Sequence, residues 1–165
     1  MIKLAILYEE ELKKKFQETW FDDKFMYYYN GSGYGSFSVE DNTYSQHQFA
    51  SVNSKGEVIG YIGYCIDRER NVADGLNIIN FSSDKMTFGM DVGEVVIDIF
   101  KKFHFRKLSF YVICGNPIEE SYDKMISKYN GRIVGIKKEE IFINGKYYDT
   151  KLYEILEKDF LAVYI

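Results

Sequence analysis

The sequence predicts an α/β (α+β) domain built on a mixed, mostly antiparallel sheet flanked by helices. Three observations carry that expectation. The apolar run Leu76–Phe81, a helical apolar stripe ending near Phe103 and the non-alternating run Leu108–Cys114 read as strand, crossover helix and strand, a right-handed unit with parallel strands. Lys55-Gly56 and Asn144-Gly145 sit between strand-like runs, and such pairs mark antiparallel hairpins. The chain also carries 15 Tyr and 13 Phe, residues that favour strands and bring large burial energies to a core.

Taken in order, Ile2–Leu7 reads as a short first strand. Glu9–Glu11 opens a helix, since acids suit the positive end of the helix dipole, and Leu12, Phe16 and Trp20 fall on one face of it. Asn30–Ser38, reading NGSGYGSFS, is a glycine- and serine-rich loop without the Gly-Lys-Ser/Thr ending of a phosphate cradle. Gln48–Val52 and Glu57–Arg68 form a hairpin, and Leu76–Phe81 adds a fourth strand. A helix follows to about Phe103, with Val92, Val95, Val96, Ile99, Phe100 and Phe103 on its apolar stripe. Leu108–Cys114 suits a strand buried on both faces. Asn116 with Pro117 starts a helix lined by Ile118, Tyr122, Met125, Ile126 and Tyr129, and Asn130-Gly131 ends it. Ile133–Ile143 and Tyr147–Leu156 complete seven strands, and no linker or repeat divides residues 1–165 into more than a single domain.

Charge and composition exclude several function classes. A net charge of -4 argues against a broad nucleic-acid surface, so no nucleic-acid partner is expected. The two cysteines, Cys65 and Cys114, and the two histidines, His47 and His104, make neither a disulfide framework nor a metal site. No apolar run approaches a membrane span and no leader pattern opens the chain, so a soluble, cytoplasmic protein is expected, without a membrane partner.

The segment Phe88–Gly93, reading FGMDVG, joins the fourth strand to its helix. A helix start presents unpaired, partly positive amides and is a natural anion site. Asp91 admits a second reading. Asp91-Val92-Gly93-Glu94 has the spacing of a capping box, with Met90 and Val95 as its hydrophobic staple. Asp91 would repel a phosphate, and Lys85 is the nearby cation. His47 reads as a surface or edge residue, and Cys114 as a core cysteine before a nucleophile.

The segments LNIINF, FGMDVGEVVIDIFKKF, LSFYVICGNPIEESY and GRIVGI…INGKYYDTKLYEI together resemble the GNAT superfamily of N-acetyltransferases. The resemblance is to the branch with the ribosomal-protein N-terminal and polyamine enzymes. It covers most of the chain and is firmest from Glu57 to Glu154. It implies a seven-stranded sheet splayed between strands 4 and 5, with acetyl-CoA entering the splay as cosubstrate and no metal. The family motif Q/R-x-x-G-x-G/A, aligned with its last glycine on Gly93, places Phe88 and Asp91 at the first position and the first glycine. The resemblance then implies cofactor contacts from Phe81, Ser83, Phe88, Gly89, Met90, Asp91, Val92, Gly93 and Asn116, with backbone amides of Asn80–Ser83 as oxyanion donors. Tyr122 would be the general acid for the leaving thiolate, and Asn116 would position the cofactor. Tyr122 lies six residues after Asn116 where the family tyrosine commonly lies seven after, and both residues also read as a packed core aromatic and a helix cap.

No general base stands out: the fourth strand holds Asn77 and Asn80, and Asp74 precedes it. Acids at Glu9–Glu11 and Asp22–Asp23 suit a cationic acceptor, a small-molecule amine or a peptide N-terminus. The expected activity is acetyl transfer to a primary amine by direct attack in a ternary complex. The alternative is a non-catalytic binding or regulatory module of the same fold that no longer binds acyl-CoA. The edge of the C-terminal hairpin leaves room for a homodimer.

Overall fold

The computed structural model describes residues 1–29, 37–41 and 44–164. Most of the Asn30–Ser38 loop therefore lies outside the described residues.

Turn and bulge chemistry sets the sheet. The strands are β1 (Ile2–Leu4), β2 (Gln46–Val52), β3 (Val58–Asp67), β4 (Val72–Asn80), β5 (Lys107–Ile113), β6 (Arg132–Ile143) and β7 (Lys146–Leu156). They lie in the order β1-β2-β3-β4-β5-β7-β6. All neighbours are antiparallel except β4 and β5, as the crossover helix between them requires. Asn144 and Gly145, both at positive φ, make the tight turn that pairs Ile143 with Lys146.

The parallel pair is short. Val72, Ala73 and Asp74 face Lys107, Leu108 and Ser109, and there the ladder stops. Beyond it β4 keeps β3 as partner to Asn80↔Gly60, while β5 keeps β7 to Ile113↔Thr150. The split begins at a bulge. Gly63 pairs with Asn77 and Cys65 with Asp74, so one β3 residue spans the stretch that Gly75 and Leu76 fill on β4. Gly75 has φ +67°, a conformation that suits glycine, and bulges add twist that turns a strand away from its neighbour.

Two apolar layers cover the sheet. On one face α3 (Lys85–Lys101) and α4 (Glu119–Lys128) bring Val95, Val96, Ile99, Phe100, Tyr122 and Ile126 onto Ile62, Leu76, Leu108 and Phe110. On the other, α1 (Glu9–Glu18) sets Leu12 and Phe16 against Ala50, Tyr61 and Ile79. α2 (Met26–Tyr29) follows on the same side, with the Tyr27 hydroxyl 3.5 Å from where a Cβ on Gly115 would stand.

Several elements differ from the sequence reading. β1 ends at Leu4, and residues Ala5–Tyr8 form a 3-10 turn that buries Ala5. α3 begins at Lys85, six residues before the expected cap at Asp91, because the Asp84 carboxylate accepts the Thr87 amide at 2.9 Å. Asp91 is therefore no cap, and the capping box is not formed. α4 begins at Glu119; Asn116 sits ahead of it, accepting the Ile118 amide through its side chain at 3.1 Å. A helix that the sequence reading missed, α5 (Glu157–Val163), packs Phe160 on Phe100 with ring centroids 4.7 Å apart. Its acids Glu157 and Asp159 were the available signal.

Candidate active site

The split between β4 and β5 leaves two backbone edges facing each other across a slot, Leu76–Asn80 on one side and Phe110–Ile113 on the other. Unpaired strand edges are templates for another extended chain. The slot is thus suited to a ligand that carries amide groups along an extended arm.

Different chemistry faces the two sides of the slot. Ser109 and Tyr111 alternate with the core residues Leu108 and Phe110, so they point to the α1 side. There the Ser109 hydroxyl donates to the Asp74 carboxylate at 2.5 Å, joining the last paired residues of β4 and β5. Asp74 is exposed, and it lies beside the bulge at Gly75. The sequence reading placed Asp74 before its strand; β4 starts at Val72 and includes it. The apolar pair Val72-Ala73 was the signal for the earlier start. Asn77 is exposed on the same strand.

On the opposite side Tyr122 is buried at 6% exposure, with its ring 5.0 Å from Phe110 and 6.1 Å from Tyr153. Burial pushes its phenol well above the ordinary tyrosine range, so it holds its proton at neutral pH. Asn116 lies beyond the end of β5, half-buried and engaged with the Ile118 amide. Cys114 is half-buried, and burial pushes its thiol up, which makes it a poor nucleophile. Behind Cys114, Lys151 is held by Glu119 and Asp123, and Asp123 also accepts the Tyr153 hydroxyl at 2.7 Å. On the α1 side Tyr27 and Tyr148 meet edge-on, with ring centroids 5.8 Å apart.

The other candidates are dispersed along one segment. Phe81 and Ser83 lie between β4 and α3. The Phe81 amide bonds to the Ile59 carbonyl at 2.9 Å and the Ser82 amide to the Asn80 side chain at 2.9 Å. Those two amides are already used, so they are not the free oxyanion donors that the sequence reading expected. The bulge at Gly75 and Leu76 is the place where β4 backbone is left without a strand partner.

Phe88, Gly89, Met90, Asp91, Val92 and Gly93 lie inside α3, past its start. Phe88, Asp91 and Val92 turn inward and are buried, while Gly89 and Met90 are exposed and Gly93 half-exposed. With the helix starting at Lys85, placing the last motif glycine on Gly89 sets Asp84 at the Gln/Arg position and Thr87 at the first glycine. The Ser82-Ser83-Asp84 run was the capping signal for this register. His47 is buried, not a surface residue, and shares a 2.6 Å hydrogen bond with the Tyr64 hydroxyl.

No helix among the described residues is long and apolar enough to cross a membrane. No family model and no curated protein matches the chain. Solved structures do. The spermidine N-acetyltransferase from Vibrio cholerae in complex with CoA and spermine superposes with a TM-score of 0.73 at 19% identity, covering 98% of this chain and 97% of that one. The spermidine/spermine N-acetyltransferase from Vibrio cholerae in complex with manganese ions gives 0.63 at 20% identity, covering 75% and 72%. At these identities the likeness establishes the architecture: this chain carries the acetyltransferase fold of those proteins, with its sheet split between β4 and β5.

Proposed function

We propose that the protein transfers an acetyl group from a CoA thioester to a primary amine. The observation that carries this reading is the placement of two proton-handling groups on opposite faces of one slot, Asp74 beside the bulge and Tyr122 under Phe110. The pantetheine arm would lie between the free edges of β4 and β5. The amine would approach from the α1 side, where the Asp74 carboxylate would attract its ammonium form and take one proton from it, freeing the lone pair that forms the C–N bond; the second proton the nitrogen then sheds balances the one delivered to sulfur. Tyr122 would protonate the sulfur as the C–S bond breaks. Holding both reactants in one slot converts a bimolecular encounter into an intramolecular one. The fold's likeness to a protein solved with CoA and spermine supports this reading, as does the exposed carboxylate on the acceptor face, which favours a cationic small-molecule amine.

The test is thiol release from acetyl-CoA with a panel of alkylamines, polyamines and peptide N-termini. Turnover of one class is expected, and Asp74→Asn should lower it about 10²-fold or more. Absence of turnover across the panel overturns the reading. A second reading, a non-catalytic module of this fold, is favoured by one observation. The start of α3, where the donor's phosphates would rest, is capped by the chain's own Asp84.

A further inference from the structure

The start of α3 does not fit a pyrophosphate as it stands. The Thr87 amide is taken by the Asp84 carboxylate at 2.9 Å. The Asp84 amide is taken by the Ser82 hydroxyl at 3.1 Å, and the Lys85 amide by the Ser83 carbonyl at 3.0 Å. These three amides must be released before a phosphate could use them. The carboxylate itself is firmly ionised, since the Thr87 amide, the Thr87 hydroxyl and the Met86 amide hold it below the usual carboxylate range. The adjoining groove, about 670 Å³, adds Glu11, Glu18 and Glu57 against only Lys14 and Lys15. Carboxylates thus outnumber lysines along its wall, and Lys15 is already within 3.8 Å of Glu18. Lys85 stands beside the helix start, but carboxylates predominate along the groove, so an incoming dianion meets mostly its own sign. The arm slot is different: both of its edges are free of strand partners from Leu76 and Phe110 onward.

We propose that Asp84 occupies the place of the donor's pyrophosphate, so that this chain recognises its acyl donor through the pantetheine arm and gains little from the phosphates. The inference rests on the acyl-transfer reading above and narrows it to a donor class: acyl thioesters on a pantetheine arm, whatever that arm is attached to. Asp84 then acts as a built-in competitor of the nucleotide half of CoA, and it is a residue that one substitution removes.

Isothermal calorimetry with CoA, pantetheine and inorganic pyrophosphate tests this. Wild type is expected to bind CoA and pantetheine with affinities within about threefold, and pyrophosphate not to compete; asparagine keeps a cap without the charge and glycine frees the amides. Asp84→Asn and Asp84→Gly should each bind CoA more tightly, Asp84→Gly by about tenfold or more, with pantetheine affinity unchanged. Circular dichroism and thermal melts confirm that each variant keeps its helix, and Asp84→Asn carries the test if Asp84→Gly does not fold. A wild type that prefers CoA to pantetheine by more than tenfold overturns this inference alone. So does a folded variant with unaltered CoA affinity. Binding of neither ligand to wild type or variants overturns the acyl-transfer reading together with it.

Discussion

Asp91 on α3 accepts the Ser51 hydroxyl of β2 at 2.6 Å, and both residues are buried. The same carboxylate oxygen lies 2.8 Å from the Met1 α-ammonium. A carboxylate in the middle of the FGMDVG segment thus fastens the crossover helix to the outer strands of the sheet. It does not face the slot. Asp91→Ala leaves the buried Ser51 hydroxyl without its acceptor, and losses of this kind cost about 2–4 kcal/mol. Urea denaturation should show that drop for Asp91→Ala and a smaller one, about 1–2 kcal/mol, for Ser51→Ala. Donor affinity should not rise in either variant, because the capping charge sits at Asp84. A stability change below about 0.5 kcal/mol in Asp91→Ala would contradict the fastening role.

Phe88 has a similar inward role. A Cβ on Gly60 would overlap the Phe88 ring and stand 2.8 Å from the Ile79 carbonyl oxygen. The absence of a side chain on β3 is what lets the helix start lie close to the sheet where β4 runs out. Gly60→Ala should cost about 2–3 kcal/mol by overpacking. Shortening the ring relieves part of that, so Gly60→Ala with Phe88→Leu should be less destabilised than the sum of the single variants, by about 1 kcal/mol or more. Strict additivity in a double-mutant cycle would show that the ring and the glycine do not share that space.

The seven strands and the crossover were legible because each has a local signal: Leu108–Cys114 is apolar throughout, and Asn144-Gly145 is a turn whatever surrounds it. The start of α3 was not, because two aspartates compete for it. Asp84 and Asp91 both precede plausible helix. The choice is decided by Ser51 and Phe88's packing on Gly60, contacts 40 and 28 residues away in sequence. Glycine spacing misled for the same reason, since Gly89 and Gly93 look like loop residues, and a Cβ at either would meet nothing within 4 Å. They are tolerated in the helix because they face outward. Asp74 was hidden by its strand boundary: the short apolar pair Val72-Ala73 is a weak signal, and the pairings with Cys65 and Ser109 place it in β4. Tyr122 was legible as both an inward aromatic and a candidate acid, and the structure places it inward beside the slot.

Tyr122→Phe separates those two roles. The ring contacts with Phe110 and Tyr153 are kept, so stability should change by less than about 1 kcal/mol. A thiolate left without its proton donor slows the step in which the C–S bond breaks. The expected result is a fall in kcat of about 10²-fold or more with the KM for acetyl-CoA little altered. Unchanged kcat with any accepted amine would return Tyr122 to a packing role alone.

Buried phenols, Tyr61, Tyr64, Tyr122 and Tyr153 among them, predict how stability responds to alkali. Burial pushes Tyr61 up to about 12, against a smaller opposing effect of the hydrogen bond from Gln48. Burial also pushes Tyr64 and Tyr122 above the ordinary range, with Asp98 adding to the effect on Tyr64. An unfolded tyrosine loses its proton near pH ~10, while these keep theirs in the folded chain. Between the two values the unfolded chain binds fewer protons than the folded one, so raising the pH favours unfolding. The contribution is fully present below pH ~10 and lost above it, at up to about 1.4 kcal/mol per pH unit for each phenol. Urea midpoints should therefore vary little with these phenols between pH ~8 and ~9 and fall steeply from pH ~10 to ~12. Tyr122→Phe should remove one phenol's share of that slope, because a phenylalanine has no proton to lose. A slope unaltered by Tyr122→Phe would mean that its hydroxyl titrates equally in the folded and unfolded chains, which its burial beside Phe110 rules against.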